Sequence, residues 1–433
     1  MYSSSIWEDD LRTDVIRVSL NTIEKYYMNK AQIYILIITA VLITACGGKE
    51  KEQNTANLTT MSWEEIEQQA QGKTVNMMMW AGDPKINAYM KNYVAPAMKS
   101  RYNMDVEISN GQGNAVVQLI MTEKQAGKQG NIDMMWINGE TFYQLRQIEG
   151  LYGPFVDQLP NSKYIDLENP FIGTDFQEPI NGMETPWGNV QMTLIYNSEK
   201  VSQLPQNRAE LLAFAKANPG KFTFDNQFTG LTFMKALLID IAGGQKVLAG
   251  GFNEEKYNKY SNQLWDYLKE IKPYLWKNGE VFPENVAQMH QLFASGELFF
   301  TMSNNDAEVD NKINEGLFPE SSRAYVPNFG TIQNSHYLGI ADNARDKAAA
   351  MVMINFMISP EAQLEKQNPD VWGDGTILKL DRLPEEMQER FKNIPSRKYA
   401  PNRADIQEKA LMELAPEYMI RLAEDFRKEI INN

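Results

Sequence analysis

Between Thr74 and Ile148 the chain runs three times through one pattern: an apolar run of strand length, a polar loop, then apolar residues at helical spacing. A strand can reach a parallel neighbour only through a crossover, so this alternation commits the segment to parallel βαβ units and a doubly wound sheet. The first unit is Thr74–Trp80 (TVNMMMW), the loop Ala81-Gly82-Asp83, and a helix from Pro84. Asp83 as N-cap with Pro84 in the first helical position is a start signal. Ile86, Met90, Tyr93 and Ala97 continue at helical spacing, and Pro96 is expected to kink or end the helix. The second unit is Asp105–Ser109, the loop Asn110–Asn114 (NGQGN) and a helix to about Gln125. The third is Ile132–Ile137, the loop Asn138-Gly139-Glu140 and a helix to about Ile148. Met77, Met78 and Met79 read as core filler rather than a metal site, and Asp133 at a strand start reads as structural. Ligands of doubly wound sheets sit at the carboxyl ends of the strands. That makes Trp80, Asp83, Asn110, Gln112, Asn138 and Glu140 ligand-binding candidates, with an N-cap role for Asp83 as the plainer alternative.

A related arrangement recurs downstream. Phe222–Phe224 precedes the loop Asp225–Gly230 and a helix that stops at Gly243-Gly244, while Leu298–Met302 precedes Ser303–Asp306 and another helix. These loops add Phe228, Asn304, Asn305 and Asp306 to the candidates. Between the two sets lie Pro186-Trp187-Gly188 and an apolar strand Val190–Asn197, and a connector over Ala324–Ile340 leads back. The expectation is an α/β fold of two doubly wound lobes joined by crossing hinge strands. Residues 61–185 form lobe 1, 186–332 lobe 2, 333–375 the return to lobe 1, and 376–433 are C-terminal helices packing on the lobes. A ligand between lobes is the default for that shape, and Trp187, at the crossing, is a candidate stacking platform.

Residues 28–45 are a short basic start and an apolar run that ends at Ala45-Cys46, the chain's only cysteine. A membrane span needs ~20 apolar residues, so the run reads as a cleaved export signal. Residues 1–27, rich in Asp and Glu, do not resemble a signal and read as an extension ahead of a start at Met28. Residues 46–60 are polar and read as a flexible tether. A formal charge of −14 argues against a nucleic-acid partner. Two histidines, His290 and His336, argue against a His-rich metal centre or a nucleophile–His triad. Gly111-x-Gly113 lacks the third glycine of a dinucleotide fingerprint. No cofactor, metal or catalytic residue is expected.

The ending at Ala45-Cys46 resembles a bacterial lipoprotein signal, in which the cysteine is lipidated and becomes the new N-terminus. From about Trp63 to about Leu383 the chain resembles the extracellular solute-binding proteins of ABC transporters, closest to a YnjB-like subgroup. The pieces that carry this are Trp136–Phe142 (WINGETF), Gly153-Pro154-Phe155, Pro186-Trp187-Gly188, Gly330–His336 (GTIQNSH), Asn355–Gln363 (NFMISPEAQ) and Val371–Asp374 (VWGD). The resemblance implies a bilobed, periplasmic-binding-protein-like clamp, lipid-anchored through Cys46 on the extracytoplasmic face of a bacterial membrane. Such a protein is a monomer that is not an enzyme and delivers a small solute to ABC permease and ATPase subunits. Trp80, Trp136 and Trp187 beside Asp83, Glu140 and Asp306 suggest an organic cation as solute, with a neutral sugar as runner-up. A lipid-anchored glycan-capture protein or a hydrolase is the alternative, and no nucleophile elbow or HExxH supports the hydrolase.

Overall fold

The computed structural model describes residues 58–432. Cys46, the apolar run before it and most of the tether lie outside the described residues.

Lobe 1 is built on strands β1 (Thr74–Met79), β2 (Asp105–Asn110) and β3 (Met134–Ile137). β1 pairs in parallel with both others, Met77 lying opposite Ile108 on one side and Met134 on the other. Val75, Met77 and Met79 point into the core, and Met78 is half-buried. Asp133 fixes this sheet from one end. It accepts hydrogen bonds from the backbone and side-chain nitrogens of Asn76 and from the backbone N–H groups of Arg345 and Asp346. The first crossover helix, α1 (Pro84–Tyr89), is capped by Asp83, whose Oδ1 accepts from the N–H groups of Lys85 and Ile86. The chain does not stop at Pro96. A single π turn over Met90–Val94 absorbs the lost donor, and Pro96 opens a fresh helix, α2 (Ala95–Tyr102), where its missing N–H is harmless. Helices α3 (Asn114–Gln125) and α4 (Gly139–Gln147) follow β2 and β3.

The apolar stretch read as one strand over Val190–Asn197 is two. β4 (Glu184–Gln191) belongs to the lobe 1 sheet and β5 (Thr193–Asn197) to lobe 2, with Met192 at the break donating its N–H to the Ile332 carbonyl. Lobe 2 carries helix α5 (Phe228–Ala242), β6 (Phe300–Ser303), helix α6 (Glu308–Asn314) and β7 (Ser322–Tyr325). The return strand β8 (Thr331–Ala341) pairs antiparallel with β4 along one edge and with β3 along the other. Trp187 bulges from β4 where the register slips between His336 and Tyr337.

The lobe 2 sheet, in the order β7-β5-β6, is antiparallel throughout. Phe222–Phe224, expected to lead into a loop and helix as the lobe 1 strands do, lies outside any strand and instead buries both phenylalanines against α5. Helices α7 (Lys347–Met357) and α8 (Pro360–Gln367) close lobe 1. The last segment touches both lobes: Ala410–Leu411 pairs with Thr331–Ile332, and α9 (Pro416–Phe426) packs on α4 of lobe 1 and α5 of lobe 2. Each lobe has its own main apolar core, and Trp187 belongs to that of lobe 1.

Candidate functional site

The loops at the carboxyl ends of β1 and β3 face lobe 2, and much of what they hold is already paired. Asp83 keeps its cap with Oδ1 and uses Oδ2 for the Lys312 ammonium of α6, 2.8 Å away in the other lobe. Lys312 also meets Glu308 at 3.3 Å and Glu315 at 3.1 Å, and His290 Nδ1 stands 3.8 Å from Glu308. Burial pushes the Glu308 carboxyl up to about 7 despite Lys312, and it lowers His290 to about 4.

Asp306 has a different fate from the one expected of it. It is fully buried, its Oδ2 held by Arg397 and by Arg403 at 2.9 Å, and its Oδ1 accepts from the Gln191 N–H. Burial alone would raise its pKa, but the two guanidinium groups hold it below the usual carboxylate range. A carboxylate with two arginines on it offers nothing to a cationic solute.

Trp187 is likewise not an open platform. It is 0% exposed, edge-on to Trp136, His336 and Trp372 at centroid distances of 5.3, 5.5 and 5.1 Å. The bulge that sets it apart turns it into the lobe 1 core. The same cluster explains the VWGD and GTIQNSH pieces. Asp374 Oδ2 accepts from the Lys366 ammonium and lies 3.1 Å from His336 Nε2, while Trp372 stacks on His336. Burial works against the charged Asp374, yet His336 and Lys366 bring it down to about 2. These residues join the return strand, α8 and the loop after it into one piece.

The remaining candidates are more open. Trp80 is half-buried, with its ring lying over Gly82, where an added Cβ would sit 2.5 Å from it. Asn110 is exposed, its Oδ1 accepting from the Ala81 N–H, and Gln112 is exposed. Asn304 Nδ2 donates to Thr229 Oγ1 at 3.1 Å, and Asn305 caps the turn into α6 through the Ala307 N–H. Asn138 precedes α4 without capping it. Its Oδ1 and the Oε2 of Glu140 are buried polar atoms without a partner among the described residues. Burial raises the Glu140 carboxyl, although the charge of Lys235 pulls the other way. Phe228 is half-buried at the start of α5, 5.7 Å from the Lys235 ammonium. The structure therefore brings Glu140 and Phe228 near Lys235, with Asn138 two positions before Glu140 in the chain. Asp83 and Asp306 are each engaged elsewhere, and Asn110 and Gln112 lie at the exposed rim.

Lys235, Lys312, Arg397, Arg403 and Glu413 also shape this region and were not among the sequence candidates. Only Lys235 left a visible signal, as the one basic residue inside the apolar helix Leu231–Ile239. Among the described residues no group of three or more His, Cys, Asp or Glu side chains is placed to hold a metal ion, and no helix is long and apolar enough to cross a membrane.

The profile of the bacterial extracellular solute-binding proteins matches residues 92–389. The chain belongs to this family. It is 37% identical to the protein YnjB of Escherichia coli (strain K12) over 336 residues, 76% of this chain and 86% of that one. It shares its fold with the TpPotD lipoprotein of Treponema pallidum, at a TM-score of 0.59 and 14% identity over 83% of this chain and 100% of the other. A putative spermidine/putrescine ABC transporter protein of Listeria monocytogenes gives a TM-score of 0.58 at 16% identity, covering 82% and 98%. The family is one of solute-binding proteins rather than enzymes.

Proposed function

We propose that the protein is the lipid-anchored solute-binding component of an ABC importer on the extracytoplasmic side of a bacterial membrane, presenting a small solute to a permease driven by an ATPase. The observation that carries this is the crossing of the chain from β4 to β5 and back into β8 between two separately cored lobes, which reach each other through Asp83 at the start of α1 and Lys312 of α6. Two lobes on a ribbon hinge are built to close around a guest. Residues 61–191 with 333–375 serve as one jaw and residues 193–332 as the other, the crossing falling at Met192 rather than before Pro186 because Glu184–Gln191 pairs in the lobe 1 sheet, and the C-terminal helices tie them.

The solute is a small neutral molecule that donates hydrogen bonds. An organic cation was suggested by Asp83, Glu140 and Asp306 acting together, but Lys312 and the pair Arg397–Arg403 satisfy two of the three. What is left open is acceptor capacity without matched charge: Asn138 Oδ1 and Glu140 Oε2. Hydroxyl groups suit such atoms. Trp80 and Phe228 add apolar faces on the two sides.

A thermal-shift screen of sugars and polyols, diamines and carboxylates tests the solute, because a guest at a hundred times its dissociation constant stabilises by about 2.7 kcal/mol. Neutral hydroxylated compounds should register, and Glu140→Gln and Asn138→Ala should weaken them. A carboxylate that binds tightly and is unaffected by both substitutions would overturn the placement. For the anchor, mass spectrometry should find lipid on Cys46 of the exported protein, and Cys46→Ser should release it from membranes. A mature chain starting elsewhere and unmodified would refute that part alone.

A further inference from the structure

Lys235 is the one basic residue in the apolar middle of α5 and is 0% exposed. A buried ammonium is tolerated only when its surroundings replace water. Here three separate parts of the chain do so. Phe176 presents its ring at 4.2 Å from Nζ, Phe228 presents its own at 5.7 Å, and the Glu413 carboxylate makes the ion pair. Phe228 and Lys235 lie two helical turns apart, on one face of α5.

Two walls of this box, Phe176 and Glu413, are themselves fixed. Phe176 and Gln177 form the tip of the hairpin between Thr174–Asp175 and Glu178–Pro179, both with positive φ (44° and 63°), the geometry of a tight two-residue turn. The tip leaves lobe 1 and buries Phe176 in the core of lobe 2. Its ring also lies on Gly139, where a Cβ would fall 2.0 Å from it, so no larger residue fits at the start of α4. Gln177 Nε2 donates to the Glu413 carbonyl at 2.7 Å, and Asn334 of β8 donates to Glu413 Oε1 at 3.1 Å.

Aromatic faces around a carboxylate are what an organic ammonium seeks. In this chain the ammonium is supplied from within, beside the free acceptor of Glu140. We propose that Lys235 is the specificity-determining residue of the interlobe site: its ammonium occupies the cation box of Phe176, Phe228 and Glu413, so that positively charged solutes are excluded. The inference rests on the reading above that solute is bound between the lobes. An external amine would have to expel a tethered one that is ion-paired with Glu413, also feels the charges of Glu140 and Asp175, and would stay buried.

Chemical rescue tests the box apart from any natural solute. Lys235→Ala removes the ammonium with three of its four side-chain carbons and leaves Glu413 facing an empty slot; n-butylammonium is the whole lysine side chain as a free molecule, one carbon longer than the part removed. At tens of millimolar it should raise the melting temperature of Lys235→Ala by several degrees, leave wild type unmoved, and lose its effect when Glu413→Gln is added. Should Lys235→Ala not fold, its refolding yield in the presence of n-butylammonium replaces the melting temperature and must rise. Lys235→Met, which refills the slot without charge, should fold and show no shift. Putrescine, measured by calorimetry, should bind Lys235→Ala at least tenfold more tightly than wild type. Absence of rescue by n-butylammonium, an equal shift in Lys235→Met, or putrescine binding as tight in wild type would each overturn the proposal. Failure of the solute screen with rescue intact would count against the solute-binding reading and leave the box standing.

Discussion

Replacing Lys312 with methionine should destabilise the protein by about 3–5 kcal/mol, the usual cost of leaving a buried carboxylate without its partner. At 2.8 Å the Asp83–Lys312 attraction is about 6 kcal/mol for an effective dielectric of about 20, before desolvation is subtracted. Glu308 and Glu315, at 3.3 and 3.1 Å, lose the same cation, which places the expected loss in the upper part of that range. Against a typical stability of 5–15 kcal/mol this is a large fraction. Mutating the acid instead would confuse two effects, because Asp83 also caps α1. Asp83→Asn avoids this, since asparagine caps as well as aspartate. Urea unfolding of both single variants and the double variant then gives the coupling energy directly. We expect the double variant to recover at least 1 kcal/mol relative to the sum of the singles. Because the pair spans the lobes, Lys312→Met should also increase the radius of gyration in small-angle scattering. A coupling below about 0.3 kcal/mol, with unchanged scattering, would show that the pair is solvated and does not hold the lobes together.

Trp187→Ala should cost about 3–5 kcal/mol in stability, as expected for a large side chain lost from a packed core, and chemical denaturation checks it; a loss under 1 kcal/mol would restore the tryptophan to the role of an open platform. Stability should also carry a pH signature. Glu308 rises from 4.5 to about 7 and Asp225 from 3.8 to about 6 on folding, because burial disfavours their charged forms. A raised carboxyl pKa contributes stability that is complete below the unfolded value and lost as pH rises through the folded one. The difference in unfolding free energy between wild type and Glu308→Gln should therefore shift against wild type by on the order of 3 kcal/mol from pH 4.5 to above pH 7. His290, lowered to about 4, contributes in the opposite sense, losing stability as pH falls. A flat difference across that range would refute the assignment to Glu308.

Local signals read well in this sequence because their causes are local. Asp83 before Pro84 announced a helix start, and the start is there with both cap bonds made. The strand–loop–helix repeat gave the parallel set β1, β2 and β3, since a run of that length flanked by such loops has few other ways to bury its apolar face. Pro96 does mark a break in helix geometry, but a π turn ahead of it lets a second helix follow at once, in a segment where Tyr89 and Tyr93 stack on each other and Tyr93 stacks on Phe356. Phe222–Phe224 failed as a strand. A three-residue apolar run is equally served by a strand or by an irregular segment over a helix, and the packing of lobe 2 decides.

The electrostatics of the site were the least legible part, and the cause is sequence distance. A carboxylate in a loop looks free until its partner is known, and the partners come from far away: Lys312 lies 229 positions from Asp83, Arg397 and Arg403 lie 91 and 97 from Asp306, and Glu413 lies 178 from Lys235. Counting acids near the predicted cleft therefore measured only half of a balance. The one readable clue was Lys235, because an isolated basic residue in an apolar helical stretch must either reach solvent or be paired inside. Apolar helices of this kind in other family members can be read by the same rule. A lysine at the position two turns after the first aromatic of the lobe 2 helix, together with an acid in the C-terminal segment, argues for an internally filled cation box and a neutral solute. An apolar residue at that position, with the acid retained, leaves the box open for a solute that carries its own ammonium.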